Sequence, residues 1–188
     1  MYEPTKLDGV FVFTPPRFND ARGYFSETWS RRAFHEMAGG VDFVQDNHSL
    51  SCRVGTLRGL HFQRPPFAQA KLVRVVHGAI FDVAVDIRVG SPTFGQWIGV
   101  ELSSENGKQL FVPTGFLHGF VTRVPDTEVL YKCSNYYAPD CDAGVRFDDP
   151  GIGVSWGINS ADAILSPKDA ALPLLRDVTS PFVWETGQ

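Results

Sequence analysis

Two histidines stand in glycine-bounded apolar stretches, and their ring nitrogens are the first candidates for chemistry. His61 lies in Gly55-Thr56-Leu57-Arg58-Gly59-Leu60-His61-Phe62-Gln63, and His118 closes Gly107-Lys108-Gln109-Leu110-Phe111-Val112-Pro113-Thr114-Gly115-Phe116-Leu117-His118. An unperturbed imidazole titrates at about 6.5, so such a residue can ligate a metal or move a proton near neutral pH. A catalytic metal commonly keeps at least three protein ligands. Metal ligation with further ligands and general acid–base work are both open to these histidines.

The elements that must hold these residues are mostly strands. Val10 to Phe13 opens one that stops at Pro15-Pro16. In Ile80 to Arg88, Phe81, Val83, Val85 and Ile87 alternate with Asp82, Ala84, Asp86 and Arg88, a period of two. Asp82, Asp86 and Arg88 read as structural, paired with each other or with neighbouring strands. Gly90-Ser91-Pro92 breaks this strand; Phe94–Leu102, Gln109–Val112, Phe116–Arg123 and Glu128–Tyr136 follow, with turn signals between them. One helix is expected at Ser30–Ala38, capped by Ser30, with Ala33, Phe34 and Met37 on one face, and ended by Gly39-Gly40. A second starts at Ser166, with Pro167 in its first position and Asp169 in its first turn. Residues 1–188 therefore read as a single all-β domain, a sandwich or jelly roll with a few short helices at its ends.

Parity along these strands is a further constraint. Tyr131, Cys133, Asn135 and Tyr137 fall two apart and should face one way, as should Gln45 and Asn47. Arg58 and His61 are three apart and would oppose each other unless Gly59 marks a bulge.

Composition sets the outer limits. The chain is 43% apolar and 20% charged with a net charge of -4, which gives no support to nucleic-acid binding. An anionic ligand would need a local cluster of arginine and lysine. Cys52, Cys133 and Cys141 are odd in number and lack CxxC spacing, so free thiols in a cytoplasmic protein are expected. Met1-Tyr2-Glu3-Pro4 does not begin a secretion signal, and no apolar run approaches a membrane span.

The two histidine stretches resemble the paired cupin motifs, with ligands missing. The second histidine of the first motif is Gln63, its glutamate falls on Phe67 or Ala68, and the asparagine ending the second is Thr122. Further segments extend the resemblance: Arg22-Gly23-Tyr24-Phe25-Ser26-Glu27, Gln45-Asp46-Asn47-His48-Ser49, Lys71-Leu72-Val73-Arg74, Tyr131-Lys132-Cys133-Ser134-Asn135-Tyr136-Tyr137 and Leu165-Ser166-Pro167-Lys168-Asp169. In this order, from about Gly9 to about Pro173, they resemble the dTDP-4-dehydrorhamnose 3,5-epimerases.

That resemblance implies a cupin fold without metal or other cofactor, usually dimeric. It also implies inversion of carbons 3 and 5 of a dTDP-linked 4-keto-6-deoxy sugar on the way to rhamnose-containing surface polysaccharides. By resemblance His61 is the base, Tyr131 the acid, Asp169 the carboxylate partner of His61, and Lys71 the cation near the enolate oxygen. Arg58 would hold the diphosphate and Tyr137 stack on the thymine. Arg22, Glu27, Gln45, Asn47, His118, Asp142 and Lys168 fall on other substrate-contacting positions. Asp142 stands where the family more often has glutamate, and Thr56 and Phe62 also depart from the commonest residues.

The chemistry suits these residue types. Both carbons flank a ketone, so each proton can leave as an enolate forms at oxygen 4. A tyrosine of pKa about 10 keeps a proton to return from the opposite face. Two other readings stand beside this one: an epimerase acting at only one carbon of a related sugar, and a sugar-binding cupin without catalysis. A metal-dependent cupin oxygenase or isomerase is disfavoured by Gln63 and the missing glutamate.

Overall fold

The computed structural model describes residues 1–185. Four short strands, β1 (Tyr2–Pro4), β2 (Phe11–Phe13), β3 (Phe18–Asp20) and β4 (Gly23–Phe25), precede helix α1 (Arg31–Ala38). Then come β5 (Gln45–Ser51), β6 (Leu57–Gln63), β7 (Lys71–His77), β8 (Ala79–Asp86) and β9 (Trp97–Ser103). β10 (Gln109–Val112), β11 (Phe116–Thr122) and β12 (Thr127–Cys133) complete the sandwich, followed by β13 (Asp142–Gly144) and helix α2 (Pro167–Ala170).

Two antiparallel sheets carry the fold. One is ordered β1-β2-β10-β7-β12-β5 and the other β13-β6-β11-β8-β9, while β3 and β4 pair only with each other. Between the sheets lie Val73, Val75 and Val112 from one side and Ile80, Ala84, Phe116 and Phe120 from the other. The jelly roll expected from the strand pattern is present.

Each sheet's outer face has its own cover, which explains why the strand alternation is not a simple core-and-solvent pattern. Val83, Val85 and Leu117 point away from the sandwich and pack under Val145, Phe147, Ile152 and Trp156 of the C-terminal segment. On the larger sheet, Phe11, Leu72 and Phe111 pack against Phe34 of α1. Burying a side chain of this kind stabilises by roughly 1.5–3 kcal/mol.

Local expectations held in kind and shifted at their ends. α1 ends at Gly39, whose φ of 66° is the left-handed conformation glycine adopts freely. Ser30 sits at its N-cap without a side-chain bond, and Ala33 is exposed, leaving Phe34 as the buried anchor. β9 starts at Trp97 rather than Phe94, because Ser91 and Thr93 turn back to bond the Asp86 carboxylate, each at 2.7 Å. β12 stops at Cys133 rather than Tyr136. There the Ser134 hydroxyl accepts the Ala70 N–H at 2.8 Å, and Asn135 Oδ1 accepts the Tyr136 N–H at 2.9 Å, so local side-chain bonds replace the ladder.

Candidate active site

One end of the sandwich opens as a cleft with two lobes, of about 420 and about 300 Å³. His61, Lys71 and Tyr131 border both lobes. They come from β6, β7 and β12, so both sheets contribute to one polar floor.

His61 is oriented by a carboxylate. Its Nε2 lies 2.6 Å from Asp169 Oδ1. α2 delivers that acid as its sequence suggested: the Ser166 hydroxyl caps the helix by accepting the Asp169 N–H at 3.1 Å. Burial opposes charge on Asp169, yet its bonds to His61, Ser166 and Gly59 more than offset this and hold the carboxyl below its ordinary pKa. An ionised carboxylate only accepts hydrogen bonds, so the shared proton sits on Nε2. In the neutral ring Nδ1 then keeps its lone pair for another proton.

Gly59 brings Arg58 and His61 to the same lobe. The β6–β11 register shifts between His118 and Phe120, so Gly59 and Leu60 form the bulge. Gly59 has φ +134°, and a Cβ there would lie 2.6 Å from the Gly119 Cα. No larger residue fits this crossing. Arg58 is braced by its Nε on Ser51 Oγ at 3.3 Å and its Nη2 on the Leu50 carbonyl at 3.2 Å.

Tyr131 and Lys71 are both shifted by burial. It pushes the Tyr131 phenol up, with Cys133 adding to the effect and Arg58 opposing it. It pushes the Lys71 ammonium down, while Cys133, Asp142 and Asp82 act to restore it. The Lys71 side chain makes no hydrogen bond or ion pair with any described residue. Its cation is therefore available to a ligand's developing negative charge.

The second lobe is built around Gln63. This residue stands where the cupin motif has a histidine, and its amide is fully committed to backbone: Nε2 donates to the carbonyls of Phe67 at 2.6 Å and Tyr136 at 3.1 Å, and Oε1 accepts the Ala138 N–H at 2.8 Å. The loop so pinned carries Tyr137, whose N–H is taken by Gln45 Oε1 at 2.9 Å. Tyr137 thus reaches the same cleft as Tyr131 through side-chain bonds, since the strand expected to align them ends four residues earlier. Gln45 and Asn47 share a face as expected, joined at 3.1 Å. The Tyr137 hydroxyl and the Lys168 ammonium both meet Asp142 Oδ2. Asp142 thereby ties the loop to α2.

Two candidates do not join the others. Arg22 and Glu27 are exposed and border neither lobe. The Arg22 side chain is 90% exposed on the β3–β4 hairpin and pairs with Asp20 at 2.6 Å. The same hairpin exposes Phe18, Tyr24 and Phe25.

Other residues here were not site candidates on sequence. Ser49 borders the larger lobe with its hydroxyl buried and unpartnered. It lies two residues beyond Asn47 on the same strand face, a spacing that could have found it. Asp82 is fully buried, 2.7 Å from His118 Nε2. Thr122, at the missing asparagine, has a structural role: its hydroxyl donates to the Arg53 carbonyl at 2.8 Å and accepts the Thr56 N–H at 3.1 Å.

Comparison with known proteins identifies the family. The sequence model of the family described as dTDP-4-dehydrorhamnose 3,5-epimerase matches residues 4–177. A dTDP-4-dehydrorhamnose 3,5-epimerase of Salmonella typhimurium is 51% identical over 91% of this chain and 93% of its own. One from Sinorhizobium fredii is 48% identical over 96% and 92%. A crystal structure from Legionella pneumophila, described as dTDP-6-deoxy-D-glucose-3,5-epimerase in complex with dTDP-4-keto-L-rhamnose, superposes with a TM-score of 0.94 at 41% identity, covering 99% of each chain. With the motifs, the fold and these likenesses in agreement, the chain belongs to the dTDP-4-dehydrorhamnose 3,5-epimerase family.

Proposed function

We propose that this chain is a single-domain epimerase that inverts carbons 3 and 5 of dTDP-4-dehydro-6-deoxy-D-glucose to give dTDP-4-dehydro-L-rhamnose, without a cofactor. The observation that carries the proposal is the Asp169-bound His61 sharing a cleft with Tyr131 and an unpaired Lys71. His61 takes the proton from the carbon beside the ketone, the C–H electron pair forms the enolate double bond, and oxygen 4 receives the negative charge. Lys71 stabilises that charge. Tyr131 returns a proton to the other face and is reprotonated from solvent, while His61 releases its proton. A second round inverts the second carbon. Arg58 holds the diphosphate and Tyr137 stacks on the thymine, with Gln45, Asn47, His118, Asp142 and Lys168 around the ligand.

Incubation with the 4-keto sugar nucleotide in deuterated water tests this reading. Deuterium and inversion at both carbons are expected. Label at one carbon only identifies a single-centre epimerase, and label at neither refutes catalysis.

The protein acts as a homodimer in this reading, and each hairpin serves the partner's cleft. Supporting it are the exposed Arg22 and Glu27, remote from their own cleft, and three exposed aromatic rings beside them. Mixing inactive Arg22→Ala and His61→Ala proteins under subunit exchange should restore activity, because one mixed site holds both native residues. No recovery would refute the exchange. Among the described residues no helix is long and apolar enough to cross a membrane; with three free thiols, this supports a cytoplasmic location.

A further inference from the structure

β8 carries two acids on one face, and their surroundings differ sharply. Asp86 is saturated: it accepts from the Arg88 backbone and guanidinium and from the Ser91 and Thr93 hydroxyls. Asp82, equally buried, has one partner. Its Oδ1 lies 2.7 Å from His118 Nε2, and its Oδ2 is buried with no hydrogen bond at all. Buried carboxylates are costly unless paired and hydrogen-bonded. A half-satisfied acid at this depth therefore calls for an explanation beyond holding strands together.

The explanation lies in what Asp82 faces. His118 borders the larger lobe together with His61 and Lys71. Since the carboxylate only accepts, it holds the proton of His118 on Nε2 and leaves Nδ1 as the nitrogen available to a ligand. Asp82 is also one of the charges acting on Lys71.

We propose that Asp82 is a positioning residue for the reaction: through His118, and beside Lys71, it sets the part of the cleft where the enolate oxygen gains its charge. The inference rests on the epimerase reading. It gives the cleft two histidine–carboxylate pairs with separate tasks, His61–Asp169 at the carbon proton and His118–Asp82 at the oxygen.

Asp82→Asn tests it in the intact enzyme. The amide can present its N–H₂ to His118 and reverse the ring's tautomer, and it removes a negative charge from near Lys71. Loss of a carboxylate that orients a functional histidine costs roughly 10–100-fold or more in rate. We expect kcat to fall by about that factor with KM little changed, and exchange and inversion to fall together, because both follow enolate formation. The alkaline limb of kcat should move to lower pH. Burial already disfavours the Lys71 ammonium, Cys133 and Asp142 oppose that effect, Lys168 adds to it, and His61, His118 and Tyr131 border the same space. Removing Asp82 subtracts one of the charges that sustain the cation.

A folded Asp82→Asn enzyme with wild-type kcat and an unmoved alkaline limb would overturn the proposal. Should that variant fail to fold, nitrogen-15 NMR of the wild-type enzyme decides. His118 should be protonated at Nε2, and its Nδ1 signal should move when the 4-keto sugar nucleotide is added; protonation at Nδ1 alone, or no movement, refutes the role. Wild-type protein that exchanges neither carbon proton would instead bring down the epimerase reading itself.

Discussion

His61 and His118 stand directly opposite each other on β6 and β11, and each has its Nε2 on a buried aspartate from a different element. The cross-strand pair fixes the spacing of the two rings. The aspartates, from α2 and β8, fix their orientation. The orientation of both rings therefore depends on four residues whose chain positions span more than half the sequence.

Removing the His61 imidazole should abolish both exchange and inversion. His61→Ala is expected to lose roughly 10²–10⁴-fold or more in rate. Asp169→Asn should bind the sugar nucleotide normally and turn it over slowly, because the ring loses its charged acceptor at Nε2. Steady-state kinetics with isotope exchange measures both. Near-wild-type exchange by His61→Ala would place the base elsewhere.

Tyr131→Phe should separate two events that wild type couples. The ring and its packing remain, while the hydroxyl that donates is gone. Deuterium should still enter the substrate, and inverted product should fall by roughly 10²–10⁴-fold. NMR on one sample reads both rates. Inversion at wild-type speed would rule Tyr131 out as the acid.

Asp169 also makes an acid-side prediction. Its folded pKa lies below that of an unfolded aspartate, about 3.9. The stability this contributes is fully present above the unfolded value and is lost as pH falls through the folded one. Wild type should thus exceed Asp169→Asn in chemical-denaturation stability at pH 6, and the gap should close as the pH is lowered below about 4. A gap independent of pH would mean that the carboxylate's ionisation does not contribute.

Gln63 should prove structural, with a binding consequence. Gln63→Ala leaves the Ala138 N–H and two carbonyls without their side-chain partner. A fully buried group left unsatisfied costs about 1–3 kcal/mol, and these part-buried ones cost less. We expect a lower Tm and weaker binding of dTDP itself, because the released loop carries Tyr137. Calorimetry that finds dTDP affinity unchanged would separate this loop from the nucleotide.

Exhaustive chelation should leave turnover intact. Among the described residues no three histidine, cysteine, aspartate or glutamate side chains gather as a metal site, and Gln63 is committed to backbone. A stoichiometric metal whose removal stops turnover would contradict the proposed chemistry.

Much of this was legible from residue order, and the exceptions have physical causes. The conflict between Arg58 and His61 pointed to a bulge at Gly59, and the register shift lies there. Ser166-Pro167-Lys168-Asp169 read as the capped start of a short helix and forms one. Tyr137 was placed by strand parity, but Ser134 and Asn135 end the ladder before it. Asp82 and Asp86 read alike, as acids alternating with apolar residues. Only the fold distinguishes them: both turn inward, but Arg88, Ser91 and Thr93 saturate Asp86 while Asp82 meets His118 alone. The hairpin's aromatic residues gave no sign in sequence that they would remain uncovered in a single chain.

The C-terminal segment has a second consequence, for the order of events during synthesis. The stretch that shields Val83, Val85 and Leu117 also carries the carboxylate bound to His61. A ribosome-bound chain that has not yet released residue 169 would expose a broad oily surface and lack a working base at the same time. Competence and solubility should therefore arrive together, once residues 145–169 have left the ribosome. Nascent chains halted near residue 140 should bind chaperones strongly and show no exchange activity, whereas release of the stretch through Asp169 should end both conditions at once.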